Sequence, residues 1–309
     1  MGHAAIPTVS YEGFLAGGEA RQRFVARLGE GLERFGFAFI GDHGIDDALL
    51  QRTYAQAEAF FALPEPIKRR YETPEDGRQR GYTSFGVEHA KDRTVADLKE
   101  FWHVGRCLPL DHPLTVRGDI PRNRHAEEVP GFSQSAQALF DAMDHLAAGL
   151  LRAIELHLGR PEGSFEALTR DGNSVLRVIH YPPLPAELPP GAVRAAQHED
   201  INLITILPAS TEPGLQLLTR DGQWLDVSPP PGAMVCDTGD MMALLTEGRL
   251  PATTHRVINP PRGEQRSRYS MPLFCHPHPD GVLRPATAEA RAITAREFLQ
   301  ERLRAIGLA

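Results

Sequence analysis

Two side chains that commonly bind metal ions, His198 and Asp200, stand at the start of a β-branched, apolar run that extends to residue 207. In an extended strand, side chains two positions apart project to the same face, so this imidazole and this carboxylate can hold one side of an ion. A third ligand must come from elsewhere, and His255, within another short β-like segment, is the best candidate. Two imidazoles and one carboxylate leave coordination positions open, which is typical of catalytic non-haem iron sites. The sequence therefore predicts a metal centre that performs chemistry.

A second pair of residues, Arg268 and Ser270, also shares one face of a predicted strand, residues 268–275. A guanidinium presents a planar set of donors that matches a carboxylate, and the neighbouring hydroxyl adds another donor. Together with the metal ligands, this pair predicts a site for an acid that chelates the metal.

These motifs resemble those of the isopenicillin N synthase-like family of Fe(II)- and 2-oxoglutarate-dependent oxygenases. The similarity covers residues 6 to 277, and its elements occur in the family's order. The blocks that carry it are HEDINLITIL, DTGDMMALLTEGRLPATTHRV, SRYSMPLF and, upstream, FGFAFIGDHGI and FFALPEPIKRRY.

The resemblance implies a cofactor, two co-substrates and the residues that hold them. His198, Asp200 and His255 would bind Fe(II), and 2-oxoglutarate would chelate it. Arg268, Ser270 and Tyr181 would hold the far carboxylate of 2-oxoglutarate, and O2 would be the second co-substrate. Many relatives have Asn two residues before this tyrosine, where this chain has Ile179, so one contact of the family pattern is absent.

Composition narrows the class of protein and its partners. The 309 residues are 41% hydrophobic and 24% charged, as in ordinary globular proteins. The net charge of −7 and the scattered basic residues argue against nucleic-acid binding. The three cysteines show no C-x-x-C spacing, and no apolar segment suggests export or a membrane span. We expect a cytoplasmic monomer or weak homo-oligomer that acts on a small molecule.

The hydrophobic pattern, together with the family resemblance, implies an α+β protein with a double-stranded β-helix (jelly-roll) core, flanked by N-terminal and backing helices. Many short strands with regular turn signals follow residue 174, and they indicate a sandwich or a jelly roll. Helical spacing predicts four helices, at residues 19–35, 46–61, 132–158 and 287–308. We expect four parts: an N-terminal dioxygenase region with a lid loop (1–125), a backing helix and linker (126–171), the jelly roll (172–278) and a C-terminal helix (279–309).

The substrate pocket is predicted less directly, from aromatic and polar residues near these motifs. Residues 74–93 have few periodic apolar positions and are predicted to form a long loop or lid. Candidate pocket residues are Tyr82, Phe101, His180, Gln197 and Phe274. For the aromatic Tyr82 and Phe101, ordinary packing is an equal alternative. The pair His276 and His278 is predicted to lie in a solvated turn.

Three functions fit these observations. The first is a 2-oxoglutarate-dependent oxygenase that hydroxylates or desaturates a small molecule and releases succinate and CO2. The second is a 2-oxoglutarate-independent oxidase of the isopenicillin N synthase type, in which Arg268 would bind a substrate carboxylate. The third is a zinc hydrolase or an inactive binding module. Similarity of fold does not choose a substrate.

Overall fold

The fold was analysed in a computed structural model, which describes residues 5–88, 96–184, 187–188, 190–261, 266–284 and 292–305. The first part contains β1 (Thr8–Ser10), α1 (Tyr11–Ala16), α2 (Gly18–Phe35), β2 (Phe37–Gly41), α3 (Asp47–Phe61), α4 (Glu65–Lys68), β3 (Gly81–Thr83), β4 (Glu100–Gly105), α5 (Pro113–Val116), α6 (Phe132–Leu158) and α7 (Ser164–Thr169). The second part contains β5 (Val175–Tyr181), β6 (Ala195–His198), β7 (Ile204–Leu207), β8 (Leu215–Leu218), β9 (Trp224–Asp226), β10 (Met234–Thr238), α8 (Asp240–Leu245), β11 (His255–Val257), β12 (Arg268–Ser270), β13 (Leu273–Cys275), β14 (Val282–Leu283), β15 (Ile293–Thr294) and α9 (Ala295–Ala305).

Two sheets build the body of the protein. The larger has the order β1-β2-β10-β7-β13-β5-β4-β3, and β12 also pairs with β5. The smaller has the order β6-β11-β8-β9, and β14 pairs with β15 in a separate two-stranded antiparallel sheet. The larger sheet therefore contains strands from both ends of the described chain, so the predicted N-terminal region shares a sheet with the predicted jelly roll. The boundaries of the four predicted parts stay a prediction.

The larger sheet has an outer face, covered by helices, and an inner face that looks toward the smaller sheet. On the outer face, α6 buries apolar residues such as Leu139, Met143 and Leu150 against Leu176 and Val178 of β5. On the inner face, Phe101, Ile179, Tyr181 and residues of the smaller sheet form a second cluster. Because neighbouring residues of a strand project to opposite faces, each strand contributes both to the helical core and to the interior of the jelly roll.

Three of the predicted helices begin or end as the sequence indicates. Gly36 closes α2 in the left-handed conformation (φ 67°). The side chain of Asp46 accepts a hydrogen bond from the amide of Ala48 at 2.9 Å and so caps α3. The long helix α6 spans residues 132–158 as predicted. Predicted residues 287–291 and 306–308 of the C-terminal helix lie outside the described ranges, and α9 begins at Ala295.

Other predicted elements were wrong. Residues 241–245 form a helix, α8, instead of a strand, because Met241, Met242 and Leu245 are buried at helical spacing. The run 268–275 is two strands, since Pro272 has no amide hydrogen to continue the ladder. The predicted lid, 74–93, contains strand β3, and its residues 89–93 are outside the described ranges. Strand β4 was not predicted. Within the described residues, no helix combines the length and apolar character needed to cross a bilayer.

Candidate active site

The three predicted metal ligands meet at one edge of the smaller sheet. His198 ends β6 and His255 begins β11, and the two residues are direct partners in the antiparallel ladder. Asp200 lies in the turn after β6, so the expectation that it belongs to a strand was wrong. Its Oδ1 atom is nevertheless 3.8 Å from His198 Nε2 and 3.6 Å from His255 Nε2. The possible ligand atoms all lie within 4.8 Å of one another, a spacing that suits one ion.

Hydrogen bonds orient each of these ligands. The Nδ1–H of His198 donates to the carbonyl of Ala196 at 2.7 Å, and that of His255 donates to the carbonyl of Thr253 at 3.1 Å. These bonds assign the tautomer that leaves each Nε2 lone pair free for a metal. The hydroxyl of Thr205 donates to Oδ2 of Asp200, which leaves Oδ1 for the ion.

The predicted carboxylate-binding residues lie on the inner face of the larger sheet. Arg268 pairs with Tyr181 and Ser270 pairs with Ile179 across strands β12 and β5. The Arg268 guanidinium is buried, donates from Nε to the carbonyl of Glu212 at 3.0 Å and donates from Nη2 to Ser210 Oγ at 2.7 Å. Its Nη1 is buried without a hydrogen-bond partner in the described chain. Burial lowers the pKa of Arg268, and the nearby phenols of Tyr181 and Tyr54 partly offset this effect.

A cavity of about 450 Å³ adjoins the metal ligands, and its volume suits a small molecule. His198 and Asp200 form part of its wall, and so do two of the predicted pocket residues, Gln197 and Phe274. Phe101 is buried on the inner face under the guanidinium of Arg177, at 4.2 Å from its ring centroid, and does not line the cavity.

Tyr82 and His180 were wrongly predicted to line the pocket, because both project from the outer face of the sheet. The hydroxyl of Tyr82 donates to Glu100 Oε2. His180 contacts Glu100 Oε1 through Nδ1 at 2.8 Å and Ser267 Oγ through Nε2 at 2.9 Å. Lys68 Nζ completes this group at 2.6 Å from Glu100 Oε2. We call Lys68, Tyr82, Glu100 and His180 the outer cluster.

A set of buried charged residues lining the cavity was missed by the sequence analysis. Lys99 Nζ lies 2.6 Å from Glu88 Oε1 and 2.8 Å from Asp97 Oδ2, and Arg177 Nη1 lies 3.0 Å from Glu88. We call Glu88, Asp97, Lys99 and Arg177 the inner cluster. Alternation at positions 97, 99, 101 and 103 was an available signal, because it predicts that these side chains share one face.

The inner cluster is connected to the metal ligands through one residue of β6. Asp97 Oδ1 accepts a hydrogen bond from the amide of Ala196 at 3.0 Å. The carbonyl of Ala196 accepts the hydrogen bond from His198 Nδ1. Strand β6 is at the edge of its sheet, so this carboxylate binds an amide that faces away from the β11 ladder. Asp97 therefore steadies the strand that presents His198.

Two further parts of the cavity wall differ from the prediction. His276, expected in a solvated turn, is buried and lines the cavity, and its Nδ1 has no hydrogen-bond partner among the residues described. Burial lowers the pKa of His276 to about 4, although Asp200 opposes the shift. Helix α9, expected only to pack on the body, supplies Leu299, Leu303 and Arg302, and Arg302 pairs with Asp240 at 3.1 Å.

Comparisons with known proteins place this site in a family. Residues 6–128 match the family model of the non-haem dioxygenase in morphine synthesis N-terminal region, and residues 172–277 match that of the 2OG-Fe(II) oxygenase superfamily. The chain is 32% identical over 290 residues to a 2-oxoglutarate-Fe(II) type oxidoreductase of Emericella nidulans, covering 91% of this chain and 82% of the relative. This chain belongs to the 2OG-Fe(II) oxygenase family.

Solved structures agree that the chain belongs to this oxygenase family. A 2OG-Fe(II) oxygenase family protein from Caulobacter crescentus has a TM-score of 0.85 and 40% identity, covering 97% of this chain and 99% of that one. A full-length Neurospora crassa protein, solved in complex with α-ketoglutarate (2-oxoglutarate), has a TM-score of 0.83 and 26% identity, covering 97% and 96%. The predicted α+β fold with a jelly-roll core is thus confirmed.

The function follows at the level of the reaction class. The oxygenase is an Fe(II)- and 2-oxoglutarate-dependent dioxygenase that uses O2 and acts on a small molecule. The relatives support this prediction over a 2-oxoglutarate-independent oxidase, a zinc hydrolase or an inactive binding module.

Proposed function

We propose that the oxygenase binds Fe(II) through His198, Asp200 and His255, and binds the far carboxylate of 2-oxoglutarate through Arg268, Ser270 and Tyr181. The observation that carries this proposal is the buried Nη1 of Arg268, which has no partner in the described chain and faces the interior of the jelly roll with Tyr181. A buried donor without a partner costs free energy, and a carboxylate oxygen would satisfy it.

The donor set also supports Fe(II) as the metal. Two neutral imidazoles and one carboxylate fit an iron ion that keeps positions for 2-oxoglutarate and O2. When bound, the iron supplies the oxidising chemistry, in which 2-oxoglutarate and O2 become succinate and CO2 and one oxygen atom oxidises the substrate. The protein orients the ligands and holds the substrate in the cavity beside them. Hydroxylation and desaturation of that substrate are both compatible with this ligand set.

Anaerobic titration of the Fe(II)-loaded protein with 2-oxoglutarate tests the proposed anchor. We expect a visible metal-to-ligand absorption band in the wild type, and at least about 30-fold weaker 2-oxoglutarate binding in Arg268→Met, because the variant lacks a buried charge partner. Arg256→Met is the matched control, since Arg256 lies next to His255 but stacks on Trp224, with its guanidinium carbon 3.7 Å from the ring centroid. Unchanged affinity in Arg268→Met, with native thermal unfolding, would contradict the proposed role.

We further propose that the oxygenase is a cytoplasmic monomer or weak homo-oligomer that does not bind nucleic acid. The free thiols of Cys107, Cys236 and Cys275 and the net charge of −7 support this proposal. Light scattering of the purified protein over a range of concentrations tests the oligomeric state, and a stable dimer at micromolar concentration would be the contrary result.

A further inference from the structure

We propose that the substrate is a neutral molecule that presents a carbonyl oxygen, as in a carboxamide or lactam, to Lys99 and Arg177. This inference rests on the proposed function, because it assigns the cavity beside the metal ligands to the substrate. It concerns the far wall of that cavity, which is built by residues outside the iron and 2-oxoglutarate sites.

The first argument is the charge of the wall. The inner cluster combines two carboxylates with two cations, and each cation lies within 3.0 Å of a carboxylate oxygen. Burial would raise the pKa of Glu88, but Arg177 and Lys99 outweigh it and lower that pKa. Burial would likewise lower the pKa of Lys99, but Glu88 and Asp97 outweigh it and raise that pKa. The shifts of Glu88 and Lys99 favour their charged forms, and the formal charges of the two carboxylates and two cations in the cluster cancel.

The histidines of the wall add no charge. Burial and the nearby Arg177 hold the pKa of His103 well below its usual value, and Arg177 Nε lies 2.7 Å from His103 Nε2. His276, with a pKa of about 4, is also neutral at pH 7. The cation of Arg302, which also lines the cavity, is paired with Asp240. An anionic substrate would thus meet no uncompensated positive charge on this wall, and its desolvation would cost free energy.

The second argument is the hydrogen-bonding capacity that the inner cluster leaves for a ligand. Both oxygens of Asp97 are engaged, Oδ1 by the amide of Ala196 and Oδ2 by Lys99. Oε1 of Glu88 accepts from Lys99 and Arg177, whereas its buried Oε2, 3.0 Å from Arg177 Nη1, has no hydrogen-bond partner among the described residues. The ammonium of Lys99 has three N–H groups, of which these carboxylates use two. Arg177, which lines the cavity, donates through Nε and Nη1, and none of the described hydrogen bonds uses its Nη2.

The remaining capacity is therefore that of the Lys99 and Arg177 donors together with one acceptor, Glu88 Oε2. A carboxamide or lactam complements both, because it carries a carbonyl oxygen and an N–H group. An ammonium ligand would need a net negative wall and a carboxylate ligand a net positive one. Because the formal charges of the inner cluster cancel, a neutral carbonyl compound fits best. His276 Nδ1, buried without a partner in the described chain, is an additional polar atom at this wall. The half-buried ring of Phe274 offers an apolar surface for the carbon skeleton next to these donors.

Matched pairs of ligands test the proposal with the complete enzyme. The probes are benzamide with benzoate, cyclohexanecarboxamide with cyclohexanecarboxylate, and 2-piperidone with 5-aminopentanoate. Binding to the protein loaded with Fe(II) and 2-oxoglutarate is measured by anaerobic calorimetry, and stimulated succinate formation is measured in air. In the wild type we expect the neutral member of a pair to bind at least tenfold more tightly than its charged counterpart. The proposal is overturned if none of the three neutral probes binds, whether or not a charged probe does.

A variant sharpens the test by changing the charge of the wall. Glu88→Gln gives the inner cluster a net positive charge, so we expect the preference for the carboxamide over the carboxylate to fall at least tenfold. The control Glu162→Gln removes an exposed carboxylate and should leave the preference unchanged, because the Glu162 side chain is 81% exposed. Arg177→Met, which replaces a donor by an uncharged, apolar side chain, should weaken carboxamide binding at least tenfold. An unchanged preference in Glu88→Gln with native thermal unfolding overturns the proposal.

The two proposals fail in different ways. If 2-oxoglutarate binds with its absorption band but carboxylates outcompete carboxamides, the assignment of the substrate class is wrong and the proposed cofactor site stands. If the band never forms, the proposed cofactor site is wrong, and calorimetry of the metal-free protein still measures the ligand preference of the wall.

Discussion

The inner and outer clusters lie on opposite faces of the same sheet, and Lys99 and Glu100, which are adjacent in sequence, belong to different ones. Both clusters are buried, and both pair a lysine with a glutamate at 2.6 Å. They differ in what else they contact. Glu100 accepts from Lys68, Tyr82 and His180 in a region closed by α3 and packed with aromatic rings. The inner cluster borders the cavity and retains donors.

This difference shows that burial of charge alone does not mark a binding site. Pairs of buried charges occur for structural reasons as well as functional ones. The distinguishing observation is unused hydrogen-bonding capacity beside an open space. By that criterion the outer cluster is structural, and the inner cluster holds a ligand.

The largest expected effect is a loss of protein stability when the outer cluster is changed. Burial would raise the pKa of Glu100, but hydrogen bonds from His180, Lys68 and Tyr82 outweigh it and lower that pKa. Glu100→Gln leaves the buried ammonium of Lys68 with the carbonyl of Phe61 but without a carboxylate, so we expect about 3–5 kcal/mol less free energy of unfolding. Urea unfolding at pH 7 measures it. The affinity for 2-oxoglutarate should match the wild type, and a large loss of that affinity would break the comparison.

Lys99→Met tests the inner cluster at the adjacent position. Glu88 keeps Arg177 and Asp97 keeps the amide of Ala196, so we expect a smaller loss of stability, about 1–3 kcal/mol. We expect kcat/KM for a carboxamide substrate to fall at least tenfold, equivalent to about 1.4 kcal/mol. Steady-state kinetics of succinate release measures this. Wild-type kinetics in a folded variant would show that Lys99 is structural as well.

The acid sensitivity of the metal-free protein sharpens the comparison further. His276 has a pKa of about 4 in the folded state, below its value in the unfolded chain. The unfolded state therefore binds more protons between about pH 6.5 and pH 4, and stability falls as pH decreases through that window. Between pH 7.5 and pH 5 we expect this residue to cost about 1–2 kcal/mol. Urea unfolding at pH 7.5 and pH 5 measures this loss of unfolding free energy, which should be about 1–2 kcal/mol smaller in His276→Gln than in the wild type. Equal losses in the two proteins would show that His276 does not cause the acid sensitivity.

The smallest expected effect is that of Tyr82→Phe in the outer cluster. Removing one hydroxyl leaves Glu100 with Lys68 and His180, so we expect a loss of about 1 kcal/mol. The thermal midpoint should fall by a few degrees, while the ligand preference of the cavity stays unchanged. An altered preference would mean that the two faces of the sheet are coupled.

The features that were predicted best from the sequence are those that depend on nearby residues in the chain. The spacing of His198 and Asp200 and the β-like surroundings of His255 were sufficient to name three residues that the structure brings together. Gly36 and Asp46 act through neighbouring backbone groups, so the end of α2 and the start of α3 were predictable as well.

Features that depend on long-range packing were not predictable in the same way. Every residue of strand β4 is buried, and a strand of this kind is expected to be apolar. Because β4 contains the charged residue Glu100, the sequence pattern did not reveal it. The partners of Glu100, Lys68 and His180, come from distant parts of the chain. The burial of His276 likewise depends on a cavity wall assembled from several elements. A list of residue types does not reveal which polar group will be enclosed.

The double use of Ala196, whose amide binds Asp97 and whose carbonyl binds His198, has a practical consequence for redesign. Libraries intended to retarget this oxygenase should vary Glu88, Arg177 and Phe274 and keep Asp97 fixed. A mutation at Asp97 would alter specificity and metal retention together, and a screen could not separate the two.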